Sequence, residues 1–229
     1  MPAHNEQDYL GAAVADVVRG LRSRGRTFEV IVCENGSTDG TAKIAEELAE
    51  GCEEVSVLSL PDADYGRALR AGFLAATGEL VVNFDVDYID LDFLDHAIPL
   101  LQADGGPVAV VGSKRSPGAH DSRPLGRRLV TAVFSAILRF GFRIRVSDTH
   151  GMKVLVRAPL EPIVEATRFG TDLFDTELIL RAERAGLVVA ELPVSVRDTR
   201  PPRSSILTRI PRSVAGLLRL RIALWREGR

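Results

Sequence analysis

Cysteine is nearly absent from this 229-residue chain, with Cys33 and Cys52 the only two. Cys33 stands in the apolar run FEVIVC, the setting of a buried thiol, so no disulfide framework is implied and a reducing cytoplasm is the expected compartment. Long apolar runs are missing as well. The longest, LVTAVFSAIL at 129–138, is about half of the roughly 18–20 residues that a membrane-spanning helix requires. Met1 is followed at once by PAHNE, so no secretory leader is expected, and the chain reads as soluble or bound at a membrane face. Internal repeats and low-complexity tracts are lacking too. Net charge is small, at −2, but it is segregated. From Arg197 to Arg229 there are nine Arg against Asp198 and Glu227, a net of +7 on an otherwise acidic protein. A basic end of that kind points to an anionic surface or ligand.

What is present describes an ordinary globule. Hydrophobic residues make up 45% and charged residues 26%, and the length suits one large α/β domain with a full core. Short β-branched runs alternate with longer helical patterns, the signature of a mostly parallel sheet covered by helices. Asn5 is the expected cap of a helix over 6–24, with Leu10, Val14, Val17, Val18 and Leu21 on one stripe. FEVIVC, EVSVLSL, ELVVNFD and PVAVVGS read as strands, with helices over 41–48, 65–76 and 91–103 between them. From Lys114 the regularity breaks: KRSPGAHDSRPLGRR reads as a loop and 125–139 as a helix with Arg127, Arg128 and Arg139 at its ends. HGMKVLVR is an expected strand, 172–185 a helix and LVVAELPV a final strand. The loop RDTRPPRSS then leads to a closing helix over about 205–226 that mixes apolar residues with five Arg.

Ligands of open α/β sheets bind at the carboxyl ends of strands, and three polar stretches fall there: ENGSTDGT, NFDVDYID and GSKR. ENGSTDGT reads either as a turn with a helix cap or as a nucleotide turn in which Glu34 accepts hydrogen bonds from a ribose or base. In NFDVDYID, Asp90 has a role as a helix N-cap, whereas Asp85 and Asp87 have none. Alternation along an extended chain sends these two out on the same side, where solvent screens them or a divalent cation bridges them. Asp175 and Glu177 fall at a helix start, where the dipole favours acids. His4 and His150 read as local hydrogen bonders.

PAHNEQ, ENGSTDGT, Gly66 and Ala68 ahead of GFLAATGELVVNFDVD, GSKR, SDTHGMKVLVR and FDTELILRAERAGLVVAELPV together resemble the family 2 glycosyltransferases of GT-A fold. The resemblance covers about 2–210 and leans toward the subgroup that moves a sugar from a nucleotide onto polyprenyl or dolichyl phosphate. It implies a GT-A domain over 1–204 and a basic amphipathic helix over 205–229. It implies further that Asp85 and Asp87 hold Mg²⁺ or Mn²⁺ against a diphosphate, since hard cations select carboxylate and phosphate oxygens. Pro2, Ala3, Glu6 and Glu34 would line the base and ribose, with Gly66, Asp148 and Ser204 also on the substrate side. Arg115, Arg200 and Arg203, with Lys114 as a substitute, would grip phosphates. A phosphate acceptor is already an oxyanion at neutral pH and needs no general base, while a hydroxyl acceptor would draw on Asp148, Asp175 or Glu177.

The implied partners are a nucleotide-sugar, a polyprenyl phosphate, the cytoplasmic membrane surface and a membrane protein, with nucleic acid excluded. The implied location is the cytoplasmic inner membrane face, where the closing helix either lies among anionic headgroups or docks on the sheet. Departures from the family pattern are Asn35 and Ile89, a shorter SDTHGMK loop, and an apolar strand expected ahead of PAHNEQ, which puts the native start upstream of Met1. They keep open a second enzyme reading with a hydroxyl acceptor and a third as an inactive nucleotide-sugar binder.

Overall fold

The computed structural model describes residues 1–121, 125–170, 173–196 and 206–227. β1 (Pro2–Ala3) is followed by α1 (Leu10–Ser23), β2 (Val30–Asn35), α2 (Thr41–Gly51), β3 (Val55–Leu60), α3 (Tyr65–Ala75), β4 (Leu80–Asn83), α4 (Leu91–Gln102) and β5 (Ala109–Ser113). Then come β6 (His120–Asp121), α5 (Leu125–Ile137) with a π-helical extension (Leu138–Phe142), β7 (Lys153–Val156), α6 (Arg157–Glu165), α7 (Phe174–Arg184), β8 (Val189–Pro193), β9 (Ser195–Val196) and α8 (Ile206–Glu227).

Local chemistry sets most of these boundaries. Asp64 and Asp90 cap α3 and α4, their carboxylates accepting from the backbone N–H of Arg67 and Phe93. α1 buries Leu10, Ala13, Val14, Val17 and Val18, the three-and-four spacing of one helical stripe. It begins at Leu10 rather than at residue 6, and Asn5 is not its cap. Asn5 has a left-handed φ of 54° and its side chain serves the neighbouring loop instead. α6 was not expected, because the two prolines of RAPLEP mask a nine-residue helix. β6 and β9 are two residues each and pair in parallel, too short to leave a pattern in sequence.

The strands form two principal sheets. β1, β2 and β3 run parallel in that order; β4, β7, β5 and β8 form the second, with β7 antiparallel to both neighbours and β8 parallel to β5. Helices α1 and α4 cover one face, where Val14, Val17, Phe93 and Ala97 meet Val32, Val110 and Val154. On the opposite face Phe73, Leu160, Leu178 and Ala182 pack on Ala109 and Leu155. α8 buries Leu217, Leu220 and Leu224 against Leu138, Phe142 and Ile179. Gly151 lets the segment before β7 cross β5: a Cβ there would lie 1.8 Å from the Gly112 carbonyl oxygen. This close crossing brings the SDTHG loop beside the end of β5.

Candidate active site

Two polar clusters form at the carboxyl ends of the strands. The first is built where β1 and β2 run side by side, with Ala3 opposite Glu34. Past that register the two following loops brace each other. Asn5 Oδ1 accepts from the Thr38 N–H at 2.8 Å, Gln7 Oε1 from the Gly40 N–H at 2.8 Å, and Thr41 Oγ1 from the Glu6 N–H at 2.7 Å. Glu34 turns one oxygen back to the Ser37 N–H at 2.7 Å. Gly36 sits at φ 64°, and a Cβ there would come within 2.9 Å of the Pro61–Ala63 backbone, so the tight turn that leads to the exposed Thr38 requires glycine. Pro2, Ala3, Glu6 and Glu34 are thus gathered at one place, all buried. The braces Gln7, Thr38 and Thr41 were not singled out in sequence, where Asn5 reads as a helix cap, although their amide and hydroxyl side chains suit the bracing role.

The second cluster follows β4. The strand ends at Asn83, and residues 85–88 form a turn closed by the Tyr88 N–H on the Asp85 carbonyl at 3.1 Å. The two acids therefore do not leave the strand alike, as simple alternation predicts. Asp87 is exposed at the rim, while Asp85 is turned inward, where the Tyr65 hydroxyl donates to its Oδ1 at 2.9 Å. Burial pushes the Asp85 carboxyl up to about 6, opposed by the Tyr65 hydrogen bond and reinforced by the nearby charges of Asp175 and Asp87. Burial and Asp85 likewise raise the Tyr65 hydroxyl well above its ordinary range. Among the described residues no group of three or more His, Cys, Asp or Glu is arranged to hold a metal.

A third set surrounds the end of β5. Ser113 Oγ accepts from the N–H of Arg115 and of Ser116 at 3.1 Å and bonds Ser147 Oγ at 2.8 Å. Arg115 is exposed, and Lys114 reaches Asp148 at 3.8 Å. Asp148 is 5% exposed. Burial alone would raise its carboxyl, but Lys114 and the His150 N–H outweigh that and hold it below the usual range. Asp175 and Glu177, the other candidate acids, are buried and partnered: Lys153 Nζ stands 2.9 Å from Asp175, and Arg181 Nε 2.8 Å from Glu177. Lys153, 1% exposed, escaped notice in sequence, though a lysine inside the apolar strand KVLV demands a buried acid. Gly66 lies buried in the first turn of α3, next to Tyr65. Arg200, Arg203 and Ser204 lie outside the described residues.

Among the described residues, three buried side-chain oxygens have no hydrogen-bond partner: Asn35 Oδ1, Asn83 Oδ1 and Asp148 Oδ2, the last with the Lys114 ammonium 3.8 Å away. They stand at the end of β2, the end of β4 and in the loop before β7, whose first residue pairs with Asn83. Buried acceptors without partners are rare, and Asn35 and Asn83 at the carboxyl-end rim are candidates to meet a ligand.

The chain matches the family model described as Glycosyl transferase family 2 over residues 1–161. It is 32% identical to glycosyltransferase AglD of Haloferax volcanii over 199 residues, covering 85% of this chain and 32% of that protein. It thus spans about a third of that relative's length. It is 27% identical to dolichyl-phosphate beta-glucosyltransferase ALG5A of Trichomonas vaginalis over 205 residues, 85% of this chain and 63% of that one. The crystal structure of glucosyl-3-phosphoglycerate synthase from Mycobacterium tuberculosis in complex with Mn²⁺, uridine diphosphate and glucosyl-3-phosphoglycerate superposes with a TM-score of 0.65. Identity there is 25%, over 92% of this chain and 72% of that one.

Proposed function

The chain belongs to glycosyl transferase family 2, and we propose that it is an inverting transferase moving a hexose from a UDP- or GDP-sugar to a polyprenyl phosphate at a cytoplasmic membrane face. The observation that carries this reading is the pairing of a braced loop cluster after β1 and β2 with the acids after β4, on one rim. In this reading Glu34 and Glu6 face the base and ribose, Asn35 and Asn83 offer their unpartnered oxygens to the donor's hydroxyls, and Asp85 and Asp87 face the diphosphate. Arg115, Arg200 and Arg203 hold phosphates, with Ser204 beside them.

Mg²⁺ or Mn²⁺ fits this donor set. Two carboxylates with excess negative charge between them suit a hard cation whose remaining positions are filled by phosphate oxygens, as such ions are commonly held. When bound it would neutralise charge developing on the leaving nucleoside diphosphate. Asp87, exposed, would reach it directly; Asp85 would do so on losing its proton while keeping the Tyr65 hydrogen bond. Lys114 is drawn to Asp148, so Arg115, exposed at the end of β5, would be the cation there that faces the phosphates.

The state of the buried acids supports a phosphate acceptor. Asp175 and Glu177 are tied to Lys153 and Arg181, and Asp148 is held ionised with a lowered affinity for protons. None is suited to take a proton from a hydroxyl, whereas a phosphate acceptor arrives as a nucleophilic oxyanion. The dolichyl-phosphate glucosyltransferase relative supports the same acceptor class. The domain spanning 1–204 would carry this chemistry and the segment 205–229 would serve the membrane. α5 with its extension exposes Leu129, Val133, Ile137 and Phe140, and α8 exposes Val214, Leu218, Ile222 and Trp225 at the same four, four, three spacing. Arg128, Arg139, Arg143, Arg219 and Arg226 stand exposed around them, which suits an anionic headgroup layer or a membrane protein set in it.

A second reading, a small hydroxyl acceptor, is favoured by the glucosyl-3-phosphoglycerate bound to the synthase that superposes. Incubation of purified protein with labelled UDP- and GDP-sugars, Mn²⁺ and polyprenyl phosphate is expected to yield a labelled lipid. Label on a soluble hydroxyl acceptor and none on lipid would replace the first reading by the second. Calorimetric binding of UDP or GDP without turnover on either acceptor would leave only a nucleotide-sugar binder.

A further inference from the structure

Residues 143–148, which lead from the π-helical extension into the SDTHG loop, alternate as an extended chain does. Ile144, Val146 and Asp148 are buried and Arg143 and Arg145 exposed, yet the segment belongs to none of the described strands. Its backbone donors turn to side chains instead. Glu183 of α7 accepts from the Arg145 N–H at 2.9 Å, and Glu191 of β8 serves Ser147 and Asp148. One oxygen of Glu191 accepts three bonds: from the Ser147 N–H and the Ser147 hydroxyl, both at 2.8 Å, and from the Asp148 N–H at 3.1 Å. Glu191 lies opposite Val111 in the parallel pairing of β8 with β5, so this carboxylate stands on a strand fixed along its length.

From Glu191 the bonds continue in one direction. A carboxylate only accepts, so the single proton of the Ser147 hydroxyl is committed to Glu191. Ser147 Oγ is then the acceptor in its 2.8 Å bond with Ser113 Oγ, and Ser113 donates its own proton there. Both lone pairs of Ser113 Oγ are left for the N–H groups of Arg115 and Ser116, each at 3.1 Å. Ser113, 0% exposed, thus has its full hydrogen-bonding capacity in use, and reversing one of the hydroxyl bonds would set two donors or two acceptors against each other. The series ends on a charged group, where hydrogen bonds are strongest.

We infer that Glu191 is a positioning residue for Arg115: through Ser147 and Ser113 it fixes the backbone that carries this exposed guanidinium at the end of β5. It acts on Arg115 through main-chain geometry alone. The Asp148 N–H shares the same carboxylate oxygen, so the GSKR and SDTHG loops are set by one group and keep a common register. A guanidinium fork grips phosphate in a narrow geometry, and a small displacement of its base weakens that grip. The inference rests on the transferase reading only for what Arg115 holds, a phosphate; the series of hydrogen bonds does not depend on it.

The test uses the purified 229-residue chain with Ser147→Ala, Glu191→Leu and Glu191→Gln. Ser147→Ala keeps both backbone bonds to Glu191 and cuts only the link to Ser113, so it disturbs folding least. Amide exchange at Arg115 and Ser116 is expected to quicken about tenfold or more in Ser147→Ala and Glu191→Leu, with the amides of β2 unchanged. In Glu191→Gln, whose amide oxygen accepts the same three bonds, it is expected to stay within about threefold of the parent. Unchanged exchange at Arg115 and Ser116 in Ser147→Ala would overturn the inference even if the melting temperature fell, since Glu191 would then anchor its own loop and nothing more. In sugar transfer, Ser147→Ala is expected to lower kcat/KM about tenfold, and by less than about twofold once Arg115→Ala is present, because both changes act at one guanidinium. Losses that multiply in the double variant would overturn it as well. Exchange requires no turnover, so an inactive parent would count against the transferase reading while exchange alone decided the role of Glu191.

Discussion

Asp85 keeps its proton to about pH 6, against 3.8 for an unperturbed aspartate, because it is buried and faces Asp175 and Asp87. A carboxyl raised in this way favours the fold in its protonated form. Its contribution is complete below pH about 4, is lost as pH rises through about 6, and stays lost above that. The shift of about two units corresponds to ~3 kcal/mol at most. Asp85→Asn, neutral and of the same shape, is therefore expected to be more stable than the parent at pH 7–8 by on the order of 2 kcal/mol without metal, the gap closing near pH 4. Urea unfolding across that range checks it, and a gap independent of pH would remove the argument. In the transferase reading the same ionisation makes activity rise through pH about 6. Asp87 is exposed, so Asp87→Ala should leave stability within ~0.5 kcal/mol while lowering transfer by about a hundredfold or more.

Lys153 and Asp175 tie β7 to α7 through a buried pair, with a further bond from Nζ to the Gly151 carbonyl at 2.8 Å. Removing one partner strands the other charge in the interior. Lys153→Met is expected to cost about 3–5 kcal/mol, and adding Asp175→Leu to restore most of it. A double-mutant cycle in urea reads the coupling, and additive losses would show that the two side chains act separately. α8 divides along its length between two solvents. Leu220 is fully buried and Leu218 is 59% exposed. Leu220→Ala should therefore cost about 2–5 kcal/mol, while Leu218→Ala stays within ~0.5 kcal/mol. Of the two alternatives for the closing helix, docking on the core describes its inner stripe, while its outer stripe keeps Leu218, Ile222 and Trp225 exposed.

Across the molecule the +7 of the last 33 residues is offset by an acidic remainder. No described helix is long and apolar enough to cross a membrane, so attachment in the proposed reading rests on the exposed stripes of α5 and α8 and their arginines. Co-sedimentation is expected with anionic vesicles and not with zwitterionic ones, weakening as salt rises from tens to hundreds of millimolar and screens the arginines. Trp225→Ser with Phe140→Ser should loosen it without altering the melting temperature. Equal sedimentation with both vesicle types would refute an electrostatic attachment.

Element order was legible because it is local: caps at Asp64 and Asp90, the stripe of α1 and the apolar run of β2 are each written within a few residues. The same holds for the carboxyl-end location of the polar stretches, which follows from strand order alone. Pairings remote in sequence were not legible. Tyr65 finds Asp85 across 20 residues, Asn5 finds Thr38 across 33, and Lys153 meets an acid on another helix. The inward turn of Asp85 and the reversal of β7 belong to the same class. By itself the sequence determined the family, the alternation of strands and helices and which residues carry charge at the rim, since these are set by neighbouring side chains and backbone preference. Only the tertiary structure decided which of those charges are neutralised, which oxygens remain unpartnered and where the sheet is interrupted, because burial and long-range contact set the energy of a charge or an unpaired edge.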